Sequence, residues 1–308
     1  MTKSIVFTEY GSADVLRLTE SDVPEPGPGQ VRIAVRVAGV NPLDHKIRAG
    51  YLQQVFPVTF PKVPGVEAAG VVEAVGEGVT DFAVGDEVFG PTVTGAYAEQ
   101  ALAVASTLAR KPASLSWEQA AALPVAAETT YRALELLDLK PGETLLVHAA
   151  AGGVGTVAVQ FAVARGVRVV GTASEANHAH LRALGVIPVV YGDGLVERVR
   201  AAAPDGIDAA LDTAGRGNAI PASIELTGGT ERVVTIADAM EAGKQGVRFT
   251  SGAGDDYRGK PAFEEALALV AEGKLELPIH AAYPLAEAAD AQRASEAGHL
   301  TGKIVIKV

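Results

Sequence analysis

Cysteine is absent from the 308 residues, which excludes disulfides, thiolate nucleophiles and every cysteine-bound zinc site. Histidine is scarce: the six stand at positions 45, 148, 178, 180, 280 and 299, and no two have metalloenzyme spacing. His178 and His180, two apart on a predicted helix, point in different directions. Basic residues are in deficit, 26 against 37 acidic ones for a net charge of −11, so attraction to nucleic acid or to an anionic membrane is not expected. No basic segment followed by a long apolar run follows Met1; Met-Thr-Lys leads straight into Ile5-Val-Phe7. A secretory signal is therefore not read, and a cytoplasmic location is expected. Internal repeats are lacking, and low complexity is confined to alanine-rich helices.

What is present is centred on residues 144–165. Leu145 to Val147 form a short apolar run, Gly152, Gly153 and Gly155 supply a turn, and Val154, Val157, Ala158 and Phe161 recur at helical spacing. Strand, glycine turn and helix in this order suit a dinucleotide. Gly152 lets the backbone approach a pyrophosphate, Gly155 lets the helix lie close to its strand, and the helix start offers unpaired N–H groups. The full G-x-G-x-x-G pattern is not met, because Ala150 stands where its first glycine would. A turn without function, a phosphate loop of another kind and a membrane helix stay open as alternatives. The membrane helix draws on about twenty residues without charge before Arg165, yet three glycines at its middle suit a turn better. No lysine follows the glycines, as a nucleotide-triphosphate loop requires.

Length predicts about two domains, at roughly 100–200 residues each. Residues 3–8, 15–20 and 31–38 are short and β-branched, with the turn-forming run from Pro24 to Gly29 before the third. Val66–Val79, Val88–Gly90 and Tyr97–Ala101 continue the pattern, which predicts an antiparallel, partly closed barrel of about 100 to 120 residues. The connection Val40–Tyr51 reads as polar and irregular, the kind of loop on a rigid barrel that often carries function. From Trp117 the pattern turns helical, in two pieces interrupted by Pro124. Around the glycine turn, six short strands at 145–147, 167–172, 188–191, 207–211, 232–236 and 247–250 alternate with helices and predict a doubly wound parallel sheet. The tail, with a helix near Phe263–Val270 and a last strand Lys303–Val308, is placed back on the first domain.

The motifs Gly39-Val-Asn-Pro-Leu-Asp44 with Arg48-Ala-Gly50, Pro64-Gly-Val-Glu-Ala-Ala-Gly-Val-Val72, Val84-Gly-Asp-Glu-Val88, Gly95-Ala-Tyr-Ala-Glu99, Leu123-Pro124 with Thr129-Thr-Tyr131, and Ala149-Ala-Ala-Gly-Gly-Val-Gly155 follow one another across nearly the whole chain. In this order and spacing the sequence resembles the medium-chain dehydrogenase/reductase superfamily, in its zinc-free quinone oxidoreductase and enone (alkenal) reductase branch. The resemblance implies an α/β chain: a GroES-like β-barrel over residues 1–118 and 255–308, and a Rossmann doubly wound domain over 119–254, with the active site in the cleft between them. It also implies a small-molecule enone or quinone as substrate and a homodimer, without nucleic-acid or membrane partners.

Departures from the alcohol dehydrogenase branch carry the chemistry. Asn41 stands where those enzymes have a zinc-binding cysteine, and Gly65-Val66-Glu67 where they have Gly-His-Glu, so no metal site is expected. Without a Lewis acid an alcohol is hard to deprotonate, whereas hydride delivery to an electron-poor C=C or quinone needs positioning and a few hydrogen bonds. At the end of the second Rossmann strand Ala173 occupies the place where an acidic residue would bind the ribose of NAD, so NADP is the expected cofactor. Glu175 two positions on, and the lack of an evident lysine or arginine, speak for NADH.

By resemblance Thr129 reaches the nicotinamide carboxamide, and Ala151, Gly152, Gly153, Val154 and Gly155 hold the pyrophosphate. Ser174 and Asn177 are placed to donate hydrogen bonds to the 2′-phosphate, Tyr191 resembles the tyrosine that covers the adenosine ribose, His178 stands where some relatives have lysine, and Thr213, Thr235 and Ile236 lie at strand ends over the cofactor. Asn41, Asp44 and Tyr51 are the catalytic candidates lining the substrate mouth. Asp44 and Arg48 also read as a structural i, i+4 ion pair, Tyr51 also reads as a plain rim residue, Tyr97 reads as barrel packing or domain-interface structure, and His45 as a loop residue. The expected activity is metal-free, NADPH-dependent hydride transfer to an enone, alkenal or quinone. The alternatives are an NADH-preferring or acyl-thioester enoyl reductase, and a cofactor-binding crystallin-like protein with weak catalysis.

Overall fold

The computed structural model describes every residue except Ala253, which falls within the range assigned to the Rossmann domain and lies outside the described residues. The chain divides into two compact units, Met1–Val125 with Leu277–Val308, and Ala126–Glu276.

The first unit is built on the eleven-residue strand Gln30–Val40, whose alternating burial follows its alternation of apolar and polar side chains. Glu67–Val75 pairs along one edge; along the other, Gln100–Val104 pairs with the first half and Lys303–Lys307 with the second, all antiparallel. Two strands sharing one edge in succession wrap the sheet into the expected barrel. Ile279–Pro284 adds a parallel edge strand beside Lys303–Lys307. Ile5, Phe7, Val35, Tyr97, Ile304 and Ile306 fill one core, so Tyr97 is indeed barrel packing.

The second unit is a six-stranded, wholly parallel sheet. Its order across the sheet is Ile187–Val189, Arg168–Thr172, Thr144–His148, Ala209–Asp212, Val233–Thr235, Arg248–Phe249. In chain order this is 3-2-1-4-5-6, the doubly wound arrangement. Strands such as Thr144–His148 and Ala209–Asp212 are buried at every position, as helices on both faces require. The charge-free stretch resolves into strand, turn and the helix Gly153–Ala164, and among the described residues no helix is long and apolar enough to cross a membrane.

Three local expectations are corrected. The connection after Val40 is not irregular: Pro42–Arg48 is a helix, with Pro42 preset for its first position and the Asp44 carboxylate accepting the Asn41 N–H. His45 therefore sits on a helix. Pro124 does not divide the next helix, which runs unbroken from Trp117 to Leu137. The cost of an interior proline, about 3 kcal/mol, is offset in part because the N–H of Val125 goes to the Glu67 carboxylate at 2.7 Å. Finally, the helix Gly259–Ala271 stays with the parallel sheet through the Arg165–Glu265 ion pair, so only the segment from Leu277 returns to the barrel unit.

Candidate functional site

Loops at the C-terminal ends of the parallel strands make one face of the second unit. Ala149 and Ala150 turn over Thr172, donating to its Oγ1 at 3.1 Å and to its carbonyl at 3.0 Å. Gly152 then caps the helix Gly153–Ala164 with ordinary extended dihedrals. The glycines differ in kind. A Cβ at Gly155 would run into the Ala149 carbonyl and lie 2.8 Å from Ala150 Cα, so the fold itself demands glycine there. A Cβ at Gly152 would approach nothing closer than the Ala149 oxygen at 3.4 Å. The chain does not need glycine at 152, whereas a phosphate group meeting the unpaired N–H groups of the first helical turn does. The residues present thus fit a dinucleotide.

Asp212 fixes the neighbouring turn. Its carboxylate accepts from the N–H groups of Ala214 and Gly215 at 2.9 and 3.1 Å and from the Thr235 hydroxyl at 2.8 Å. Beside it His148 is 2% exposed, with Nε2 2.9 Å from Ser223 Oγ. Ser223 donates onward to the Ala219 carbonyl, which leaves its oxygen as acceptor and His148 as donor. Burial, opposed by the Asp212 charge, brings His148 down to a pKa of about 4.

The barrel unit holds a different arrangement. Glu67 is fully buried, with Oε1 2.7 Å from both Asn41 Nδ2 and Lys303 Nζ. The ammonium of Lys303 also donates to Asn41 Oδ1 at 2.6 Å and to the Val40 carbonyl at 3.1 Å, so its three protons are all used. Gly39 is required because a Cβ there would run into the Glu67 carboxylate and lie 2.7 Å from the Ala121 carbonyl. Asp44 Oδ2 accepts from the Asn41 N–H and the Tyr97 hydroxyl, each at 2.9 Å, while Oδ1 has no partner among the described residues. Burial raises Asp44 to a pKa of about 6, against those hydrogen bonds, and keeps Tyr97 protonated well beyond its usual range.

Among the catalytic candidates, Asn41 and Asp44 therefore face inward, with Asn41 spending both ends of its amide on the Glu67–Lys303 pair. The expected Asp44–Arg48 pair is not formed: Arg48 bonds Gly11, Gln292 and Glu296. Tyr51, 79% exposed, is the candidate open to a ligand. In the other unit Ala151 to Gly155 lie together at the turn, and Thr129 is buried on its helix beside Thr130, whose hydroxyl bonds the Val154 carbonyl. Ser174 and Asn177 bracket a short turn after one strand, and Tyr191 is exposed after the next. The hydroxyls of Thr213 and Thr235 are spent on the His148 carbonyl and on Asp212, and the Ile236 N–H on the Asp212 carbonyl; these three can serve a cofactor by shape rather than by those donors. Lys303 and Arg198 went unread in the sequence. A lysine inside an apolar last strand was a signal; Arg198, which grips only main-chain carbonyls, left none.

Among the described residues no group of three potential ligands surrounds a metal position. Glu67, retained from the zinc-binding pattern, already carries an ammonium at 2.7 Å, and these residues do not fit a catalytic dication.

Residues 27–113 match the family model of the alcohol dehydrogenase GroES-like domain, and residues 184–306 that of a zinc-binding dehydrogenase. The quinone oxidoreductase structure from Coxiella burnetii is 33% identical, with a TM-score of 0.86, over 100% of this chain and 99% of that one. A mycobacterial protein solved in complex with NADPH is 30% identical, with a TM-score of 0.87, over 99% and 100%. A pikromycin polyketide synthase component of Streptomyces venezuelae is 40% identical in an alignment 306 positions long that covers 93% of this chain; the chain spans only 8% of that relative's length.

Proposed function

Because the chain belongs to the medium-chain dehydrogenase/reductase superfamily, in its quinone oxidoreductase branch, and is an oxidoreductase, we propose that it transfers hydride from NADPH to an enone, alkenal or quinone without a metal ion. The observation that carries this is the helix start at Gly152, open to a phosphate and not explained by packing within the chain. The mycobacterial NADPH complex supports the choice of dinucleotide.

A bound nicotinamide supplies the hydride from its C4 position. The residues of this chain bind and orient. Gly153 to Gly155 would hold the pyrophosphate on the main-chain N–H groups of the first helical turn. Ala151 and Gly152 would give it close approach, the Gly152 N–H being spent on the Ala149 carbonyl, and Asp212 fixes the turn on which Thr213 stands, with Thr129 as the ligand of the carboxamide. On the barrel, the Glu67–Lys303 pair locks Asn41, and Asn41 with Asp44 sets the helix that leads to Tyr51. The Tyr51 hydroxyl is the donor to a substrate carbonyl, polarising it as negative charge gathers there. The proton that completes the reduction comes through that hydroxyl or from solvent.

Likeness to the polyketide synthase component favours a second reading, reduction of an unsaturated acyl thioester. Purified protein mixed with NADPH or NADH and a panel of enones, quinones and unsaturated thioesters separates the two by which class consumes the reduced nicotinamide. Tight dinucleotide binding with no turnover on any of them would instead support a crystallin-like role.

A further inference from the structure

The 2′-phosphate of NADPH carries about −1.5 to −2 charges, as phosphomonoesters do at neutral pH, and the residues following Ala173 hold no arginine or lysine before Arg182. The next loop supplies one. Arg168–Thr172 and Ile187–Val189 are adjacent parallel strands with Val189 opposite Thr172, and the Ala173 N–H bonds the Val189 carbonyl at 3.0 Å. Ser174 and Tyr191 therefore leave the sheet at the same end, from neighbouring strands that lie roughly 4.8 Å apart. Arg198 is the fourth residue of the helix Leu195–Ala202, near its start, and its guanidinium turns back onto the loop that carries Tyr191. Nε bonds the Val190 carbonyl at 2.9 Å, one terminal nitrogen the Asp193 carbonyl at 2.7 Å, and the other the carbonyls of Tyr191 and Gly192 at 3.3 and 3.2 Å.

Four carbonyls orient this cation without neutralising it, and one of its five N–H groups remains unspent. Among the described residues no carboxylate pairs with it, whereas Arg168 and Arg200 on the same unit are paired with Asp205 and Glu225. Its competitors are less well placed. Arg182 lies in the last turn of the helix His178–Ala183, which runs back from this edge of the sheet. His178 has its Nε2 shut away from solvent without a partner among the described residues.

We infer that Arg198, with Ser174 and Tyr191, forms a phosphomonoester subsite that reads the 2′-phosphate and so sets the preference for NADPH over NADH. The inference rests on the hydride-transfer reading above and adds a residue to it. A guanidinium already fixed by the loop loses little freedom when the phosphate arrives.

Calorimetric titration of the whole protein with NADPH and with NADH tests it. Arg198→Gln is expected to weaken NADPH about 10- to 100-fold, the scale of a lost charge-assisted contact, and to leave NADH within about twofold. Arg198→Lys, which keeps the charge, should retain part of the preference. In the unmodified protein, raising salt should weaken NADPH more than NADH. Equal losses for both dinucleotides in Arg198→Gln would make the residue a loop clamp only and overturn the subsite, as would equal salt responses or an unaltered preference. Wild-type protein that prefers NADH removes the subsite and leaves dinucleotide binding standing; wild-type protein that binds neither removes the hydride-transfer reading itself.

Discussion

Each unit buries an ion pair, Glu67–Lys303 in the barrel and Glu128–Arg132 in the sheet unit, but the two hold their candidate site residues by different means. The barrel places a full ion pair in its interior, Glu67 against Lys303, and strings Asn41 and the Asp44–Tyr97 pair beside it. The parallel-sheet unit buries Asp212 on neutral donors alone and keeps His148 uncharged. In the first, each charge is tolerable only while its counter-charge is present. In the second, main-chain N–H groups already fixed by the fold do the solvating, and the reward is a loop held in one shape at the strand ends. The barrel thus fixes a helix through long-range charge, and the sheet fixes its loops through local hydrogen bonds.

Removing a charge should separate the units most sharply. Lys303→Met leaves Glu67 buried without its cation, an expected loss of about 3–5 kcal/mol. Asp212→Asn removes a carboxylate held by neutral donors, with no counter-ion to leave stranded, and should cost less, about 1–3 kcal/mol. Denaturant unfolding of the whole chain measures both, and adding Glu67→Gln to Lys303→Met should recover much of the first loss. A Lys303→Met protein within about 1 kcal/mol of wild type would show that the pair is not the barrel's electrostatic anchor.

Acid should act on the units with opposite sign. Histidine titrates near 6.5 in the unfolded chain and His148 near 4 when folded, so between those values the unfolded state holds the extra proton and stability falls as pH falls. Asp44 titrates at about 6 when folded against 3.8 unfolded, so the folded state holds the extra proton and stability falls as pH rises through that window. Each shift is worth about 3 kcal/mol as an order of magnitude, and between pH 4 and 6 the two oppose each other. Asp44→Asn should therefore lose stability more steeply than wild type on acidification across this window, and His148→Gln less steeply. Melting temperatures from pH 4 to 7 give the comparison; parallel curves for all three proteins would refute it.

Within the sheet unit, the two kinds of glycine give a finer contrast. Gly152→Val should weaken NADPH binding by about 100-fold, because the side chain occupies the phosphate's approach, and should leave the melting temperature close to wild type. Gly155→Val should lower both, since its side chain strikes Ala149 and Ala150. If Gly152→Val binds NADPH normally, the pyrophosphate lies elsewhere.

Local pattern was readable in the sequence, and distant pairing was not. Buried apolar runs such as Thr144–His148 announced the parallel sheet because strands covered on both faces carry no alternation. The glycine turn was readable for the same reason, as its elements are adjacent. The Pro42–Arg48 helix was legible in principle, with Asn41, Pro42 and Asp44 at the positions of a helix start, but its brevity and polarity resemble a loop. Continuity through Pro124 depends on Glu67, 58 residues away from Val125. The partner of Asn41, Lys303, lies 262 residues away. Asn41 and Asp44 thus looked like ligands for a substrate because their partners within the chain were invisible.

The smallest expected effect bears on what replaced the metal pattern. Dialysis against a strong chelator should leave the rate of hydride transfer unchanged, because a dication at Glu67 would have to displace an ammonium that also holds Asn41 and Val40. Repulsion between that ammonium and an entering dication adds to the lack of nitrogen or sulfur ligands. Rate loss on chelation that only zinc restores would overturn metal-free transfer. The sharper version uses Lys303→Met, in which the cation is gone and Glu67 is unpaired. If a bound metal substitutes for the lost charge, zinc should raise the melting temperature of this variant and not of wild type, while leaving the wild-type rate as it was. Stabilisation of both proteins alike would place the zinc at the surface, and the barrel's interior charge would have to be explained without a vacancy for a cation.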